Sequence, residues 1–363
     1  MAAIITPRFR KNNAAAFKAD LTTAPSDYYI GLGRPDAWPN DSAPPTPTGS
    51  PLELIQAKTG LIQLKEIRTT IDGSGGDSSI SRVIPRVDWV SGRTFNAYAI
   101  NDITRLYSTV SGSITTYPCY CINENRLYLC KTAGVGVVGT APVHTTVGTD
   151  NSPVADGYVW TLLRLLTVPA TVLNLQNFVA IPDSDSQTLE LLPSWYVGIG
   201  VNINSTDLLI NSRYRQVSVV KWNNSLTGSS KINLINTPYF NMGTAFTPAI
   251  GSIITQTVAD YTNRGTTQPN PQGIVAAVDG SKVYFTQIPS ATGTVTSFSA
   301  SGSISINGEA LRSYTSIGTT LTDVGVLTKV SNIPQGDVVF LENRQPVNHI
   351  SNQIEEVRTV IQF

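Results

Sequence analysis

Trp195-Tyr196-Val197-Gly198-Ile199-Gly200-Val201-Asn202-Ile203-Asn204 alternates without a break. Successive side chains of a strand point to opposite faces, so Trp195, Val197, Ile199, Val201 and Ile203 share one side and the smaller or polar residues share the other. The pattern predicts a strand in a sheet with one buried face. Working outward, the same reading predicts strands over 157–168, 213–222 and 338–341, and an extended Tyr28-Tyr29-Ile30. Val357, Thr359, Ile361 and Phe363 alternate as well.

Composition agrees with this bias. The 363 residues include 42 Thr and 33 Ser, which favour strands and turns, and charged residues make up only 14%, against about 25% in a typical soluble domain. Twenty-five basic side chains balance 25 acidic ones. With no net charge there is no global field to attract DNA, RNA or anionic lipid, so neither nucleic acid nor membrane is an expected partner. In Met1 to Lys11 the short apolar run precedes the basic residues and is broken by Pro7, the wrong order for a secretory leader. Three clustered cysteines, Cys119, Cys121 and Cys130, are too few for a disulfide framework and point to a reducing compartment. The Asn-x-Ser/Thr triplets at Asn40, Asn204 and Asn223 then carry no glycosylation meaning.

Two helical excursions are expected, near 9–21 and 51–67. Ser50-Pro51-Leu52-Glu53 matches a capping box with Pro at the first helical position, and Leu54, Ala57, Leu61 and Leu64 continue a helical spacing across Gly60. The prolines at 35, 39, 44, 45, 47 and 51 predict an ordered, non-helical strap. All five tryptophans precede residue 223, and the stretch 238–325 is rich in Ser, Thr and Gly. Its short strand candidates (250–256, 273–278, 283–288 and 303–306) predict a small β-barrel-like module inserted between 1–237 and 326–363. Asp279-Gly280 marks a turn, with Ser281 making the loop slightly longer than two residues. The expected class is therefore mainly β with a few short helices.

Several motifs offer chemistry. Gly134-x-Gly136-x-x-Gly139 matches the dinucleotide fingerprint, but Thr140-Ala141-Pro142 leads into loop where a helix N-terminus is needed, so no cofactor is expected. Cys119, Cys121 and Cys130 with His144 and His349 are the available zinc ligands, in a spacing unlike common zinc modules; buried free thiols are the expected outcome and no metal is assigned. Two histidines and no Gly-x-Ser-x-Gly elbow argue against a serine hydrolase. Asp183-Ser184-Asp185 opens like a calcium loop, yet Thr188 and Ser194 stand where Gly and Glu are required, which leaves a polar turn. Glu355-Glu356 point to opposite faces if they lie on a strand. No catalytic residue is assigned.

Pro7-Arg8-Phe9-Arg10, Gly33-Arg34 with Trp38, Ile84-Pro85-Arg86-Val87-Asp88-Trp89, Asn101-Asp102-Ile103 and Tyr128-Leu129-Cys130 form an ordered series of motifs. It continues through Asp156-Gly157-Tyr158-Val159-Trp160, Arg215-Gln216-Val217-Ser218, Glu342-Asn343-Arg344-Gln345-Pro346 and the run from Glu355 to Phe363. In order and spacing these motifs, over about 1–225 and 335–363, resemble the baseplate wedge subunit encoded by gene eight in T4-like contractile-tailed bacteriophages. The chain departs from that pattern between about 227 and 334. The resemblance implies a β-sandwich with helix-bearing excursions and a homodimer without enzymatic activity. It places the chain in the virion tail baseplate, assembled in the host cytoplasm beside wedge proteins resembling the products of genes six, seven and ten. Its signature residues are Arg34, Trp38, Arg86, Asp88, Trp89, Asp156, Trp160, Arg215, Glu342 and Arg344. These are types that lock loops by stacking and charge-assisted hydrogen bonds, and Arg34, Arg86, Asp88 and Arg344 are expected to do so rather than to touch a partner. A receptor- or carbohydrate-binding tail protein and a tail glycosidase remain the alternatives, the first discriminated by exposed aromatics in 238–325.

Overall fold

A computed structural model describes residues 6–23, 27–67, 78–99, 108–110, 113–151, 156–166, 177–203, 212–221, 233–235, 237–257, 262–263, 266–267, 270–291, 293–319, 336–350 and 352–363. Asn101-Asp102-Ile103, Asn204, Trp222 and Asn223 lie outside them. Along the chain run α1 (Pro7–Thr22), β1 (Tyr28–Gly33), α2 (Pro51–Thr59), β2 (Leu61–Glu66), β3 (Ser78–Pro85), β4 (Thr94–Phe95), β5 (Ser108–Val110), β6 (Ser113–Tyr117), β7 (Tyr120–Asn123) and β8 (Arg126–Thr132). There follow β9 (Val159–Leu165), β10 (Phe178–Ile181), α3 (Ser186–Leu191), β11 (Tyr196–Ile203), β12 (Arg213–Lys221), β13 (Asn233–Ile235), β14 (Pro238–Asn241) and β15 (Ile253–Thr255). The last are β16 (Thr262–Asn263), β17 (Thr266–Thr267), β18 (Gln272–Asp279), β19 (Lys282–Gln287), β20 (Gly302–Ile306), β21 (Arg312–Tyr314), β22 (Ser316–Thr319), β23 (Asp337–Asn348) and β24 (Glu355–Gln362). The protein is mainly β.

The chain divides into two compact units: Met1–Thr23 with Thr69–Gly200 and Arg358–Phe363, and Ala24–Arg68 with Val201–Val357. Residues 24–68 and 201–237 thus fall in the same unit as 238–325.

In the first unit, Thr6 caps α1 by accepting from Phe9 N, Pro7 supplies a preset φ, and Lys11, Ala14, Phe17 and Leu21 form its buried stripe. The Lys11 amine reaches the Glu190 carbonyl. A hydrophobic core gathers Tyr120, Tyr128, Tyr158, Trp160, Leu162 and Leu192 among others, around the sheet β7-β8-β9. β11 sits inside the sheet β10-β3-β11-β24. Here the alternation misleads in one respect: all of Tyr196 to Val201 is buried, so both faces are covered there. Glycine at 198 and 200 leaves no bulk on the second face, and small residues read as exposed when only polarity is counted.

The second unit holds a five-stranded sheet, β13-β2-β1-β12-β23, and a seven-stranded one, β21-β20-β15-β18-β19-β14-β22. Every strand of the latter comes from 238–319, and its terminal strands β21 and β22 are joined by Thr315 alone, so the sheet is nearly closed and barrel-like. Phe240 stacks on Phe285 at 4.2 Å, and Phe298 and Tyr314 meet Phe240 edge-on at 5.0 and 4.8 Å, which fills the inside. The β18–β19 hairpin pairs Asp279 with Lys282, so its loop is the two-residue Gly280-Ser281 and not a longer one. Gly280 at φ 58 takes the first position, the requirement of a II′-type turn.

The expected helix over 51–67 is corrected in its second half. Ser50 accepts from Glu53 N and α2 begins at Pro51, but the helix stops at Thr59 with Gly60 as its cap. Leu61 to Glu66 is then a strand between β13 and β1, buried along its whole length. Leu61 and Leu64 satisfy a helical spacing, but the chain gains more by hydrogen bonding on both sides of a central strand than by continuing through a glycine that costs about 1 kcal/mol in a helix.

Candidate functional site

The signature residues of the second unit meet in one place. Arg215 is 3% exposed and donates from Nε and Nη2 to the two carboxylate oxygens of Asp41 at 2.8 Å each, and from Nη1 to the Pro35 carbonyl at 2.5 Å. Trp38 N also donates to Asp41 Oδ1 at 2.9 Å. The Arg215 guanidinium, and then the Trp38 amide, hold the Asp41 carboxyl down at about 2. This is a fork-to-fork pair, the geometry in which Arg fixes a carboxylate in orientation as well as position.

The pair anchors the proline strap, and the strap is tied in turn to β23, an edge strand. Tyr214 pairs with Val347 and Gln216 with Asn343, so Arg344, Gln345 and Pro346 bulge out opposite Arg215 alone. A bulge is where an edge strand tolerates proline, and it frees backbone and side chains for other partners. Trp38 Nε1 donates to the Arg344 carbonyl at 3.0 Å, Gln345 Nε2 to Ser42 O at 3.2 Å and Asn343 Nδ2 to Pro45 O at 2.9 Å. Gln216 Nε2 completes Asn343 by donating to its Oδ1 at 2.7 Å. Arg344 itself pairs with Glu342 at 3.1 Å. The strap therefore covers the bulged part of this edge strand.

Beside this lock lies a cleft of about 200 Å³. Arg34 enters it from the end of β1 with φ 58, a left-handed conformation that costs a non-glycine residue about 1–2 kcal/mol. Its guanidinium stacks on the Trp38 ring at 3.7 Å and pairs through Nη2 with Asp36 at 3.1 Å. Burial lowers the Arg34 pKa and raises that of Asp36, each partly offset by the other's charge. Glu53 on the same wall is already engaged by Thr48 and Gly49; burial pushes its carboxyl up, and those hydrogen bonds outweigh it to hold the group below its ordinary range.

In the first unit the signature residues hold local structure at separate places. Arg86 pairs with Asp88 at 2.9 Å, both exposed just past the end of β3, and Trp89 N donates to Ile122 O at 2.8 Å. Trp160 is fully buried, edge-on to Phe95 at 5.2 Å and stacked near Tyr158 at 6.0 Å. Asp156 Oδ2 accepts from Gly139 N and Thr140 N at 2.8 and 3.3 Å. Those are amides of the kind a phosphate takes in a glycine-rich loop, and here the chain's own carboxylate takes them. Gly134 has a packing cause: a Cβ would stand 1.8 Å from the Asp156 carbonyl.

The three thiols are buried, and none is in a disulfide. Burial pushes Cys121 well up and Cys130 to about 12, which favours the protonated, weakly nucleophilic form of both. His144 Nε2 lies 3.0 Å from Thr149 O with its ring against Tyr128 at 5.0 Å. His349 is 1% exposed, its Nδ1 3.6 Å from Glu355 Oε1, while Tyr214 donates to Glu355 Oε2 at 2.6 Å; burial and then this carboxylate raise the Tyr214 pKa. Asp183 and Asp185 form a turn, as read, and Asp185 also caps α3 by accepting from Thr188 N at 3.0 Å. Asp183 pairs with Lys18 and Arg82.

Sequence reasoning named Arg215, Trp38 and Arg344 but missed Asp41, which is 174 residues from its partner and has only a local Asn-Asp-Ser turn signal. In comparisons with known proteins, no family model matches the chain and no curated protein matches it.

Proposed function

We propose that the chain is a structural subunit of a contractile phage tail, a non-catalytic connector in the baseplate wedge. In this reading it assembles with itself and with neighbouring wedge proteins resembling the products of genes six, seven and ten, and takes part in the rearrangement that triggers contraction. One observation carries the reading. Three of the motifs that carry the resemblance, at 33–38, 215–218 and 342–346, converge on one lock, in which Arg215, Trp38 and the bulge at 344–346 hold the strap. Independent chance matches have no reason to be neighbours in space. The lock makes a stiff connector, and stiff bodies that repack at their interfaces suit a rearranging assembly. Co-purification tests it: the tagged chain, expressed with each of the three wedge proteins, should retain at least one through a wash of roughly 0.5 M salt, where exposed charge contacts are screened. Retention of none counts against the reading.

The carbohydrate-binding alternative needs exposed aromatics in 238–325. Phe240, Tyr284, Phe285, Phe298 and Tyr314 are buried, Phe246 has Arg312 over its ring at 4.2 Å, and Tyr239, half-buried, meets Tyr284 at 5.4 Å with the Lys282 amine over it at 5.0 Å; Tyr261 lies outside the described residues. Most of these rings build the core of the barrel-like sheet, and among the described ones only Tyr239 and Phe246 keep partial exposure, which weighs against that alternative.

A further inference from the structure

Val135, Val137, Val143 and Val147 stand on one stretch of the first unit, between β8 and β9. Val135 is 99% exposed, and the other three are more than half exposed. A loose chain folds such side chains away; this stretch is held out. Tyr158 Oη donates to Gly136 O at 2.8 Å, Tyr128 Oη to His144 O at 2.8 Å and Asn123 Nδ2 to Pro142 O at 3.0 Å. Val138 adds backbone bonds to Gly92 and Arg93, at 2.8 and 2.7 Å. The loop is therefore ordered before any contact is made, which removes much of the entropy cost of binding through it.

Charge and area say what fits this loop. From Thr132 to Thr149 the sequence holds no Asp, Glu, Lys or Arg, and His144 is engaged with Thr149 O at 3.0 Å. An isologous contact sets a patch against the same patch on a second copy, so a charged surface repels itself and a neutral one does not. The stretch also lacks Phe, Trp and Tyr, and without aromatic or basic residues it has nothing to seat it in a lipid surface. Valines this exposed present roughly 300 Å² of apolar side chain. A standard interface takes about 800 Å² from each partner, a little over half of it apolar, so the loop supplies most of the apolar part. We propose that the loop from Val135 to Val147 is the surface through which two copies of this chain associate, valine against valine about a twofold axis. The inference rests on the self-association proposed above and names the surface that carries it.

Light scattering after size exclusion, on the full chain at about 10 μM, tests it. The parent should show twice the chain mass. Val135→Asp combined with Val143→Asp sets like charges against each other across the axis and should weaken association by about a hundredfold or more, giving the monomer mass. Both side chains lie outside any core, so the circular dichroism and melting temperature of this variant should match the parent. Leu311→Asp makes the same chemical change at a side chain 68% exposed in the second unit and should leave the dimer intact. A monomeric parent overturns the self-association together with its surface. A dimeric parent whose folded loop variant stays dimeric overturns the surface alone, as does equal loss of the dimer in Leu311→Asp.

Discussion

Arg215 and Asp41 set the strongest expectation at the scale of single residues. Replacing Arg215, 3% exposed, by Ala leaves Asp41 Oδ2 and the Pro35 carbonyl without their donors, with Trp38 N alone on Asp41 Oδ1, and opens a void, so unfolding of the second unit should be easier by about 3 kcal/mol. Urea denaturation measures this, and a change under about 1 kcal/mol contradicts the lock. The Asp41 carboxyl, held at about 2 by the guanidinium, has a depressed native pKa. Its contribution is therefore complete above its unfolded value near 4 and is lost as pH falls toward 2. NMR titration should place the midpoint near 2 in the parent and return it toward the ordinary carboxylate value in Arg215→Met. The sequence marked Arg215 through resemblance and could not mark Asp41, because a pair formed across 174 residues leaves no periodicity.

Elements were legible where one local rule sufficed. Ser50-Pro51 starts α2 as capping chemistry requires, and the Asp279-Gly280 signal finds the hairpin between β18 and β19, though not its two-residue length. They were illegible where tertiary pairing chose between two periods, as at Leu61-Ile62-Gln63-Leu64-Lys65-Glu66, whose polar residues are buried in a central strand. The bulge at 344–346 was equally hidden, since it exists only in register against Arg215. The glycine triplet gives a contrast to test. Gly134→Ala drives a Cβ to 1.8 Å from the Asp156 carbonyl and should cost about 2–3 kcal/mol, whereas Gly139, whose nearest atom is Asp156 Oδ2 at 3.9 Å, should tolerate Ala within about 1 kcal/mol. Thermal melts of the two variants decide it. Equal effects remove the packing explanation.

At the scale of the whole molecule, sparse and balanced charge leaves apolar and uncharged polar surface for partners. The loop before β9 exposes Val135, Val137, Val143 and Val147, at 99, 54, 62 and 52%. A homodimer burying on the order of 2,000 Å² is expected, with little dependence on salt because apolar burial is not screened. Light scattering after size exclusion, at low salt and at roughly 0.5 M, where the Debye length is about 4 Å, should give the dimer mass both times. A dimer that dissociates as salt rises contradicts this. The proposed place in a tail baseplate is tested most directly by labelling. Virions assembled with a tagged copy of the chain, decorated with gold-conjugated antibody and viewed by electron microscopy, should carry label at the distal end of the tail. Label on the head or along the sheath, or its absence from virions that contain the tagged chain by mass spectrometry of denatured particles, would contradict the account.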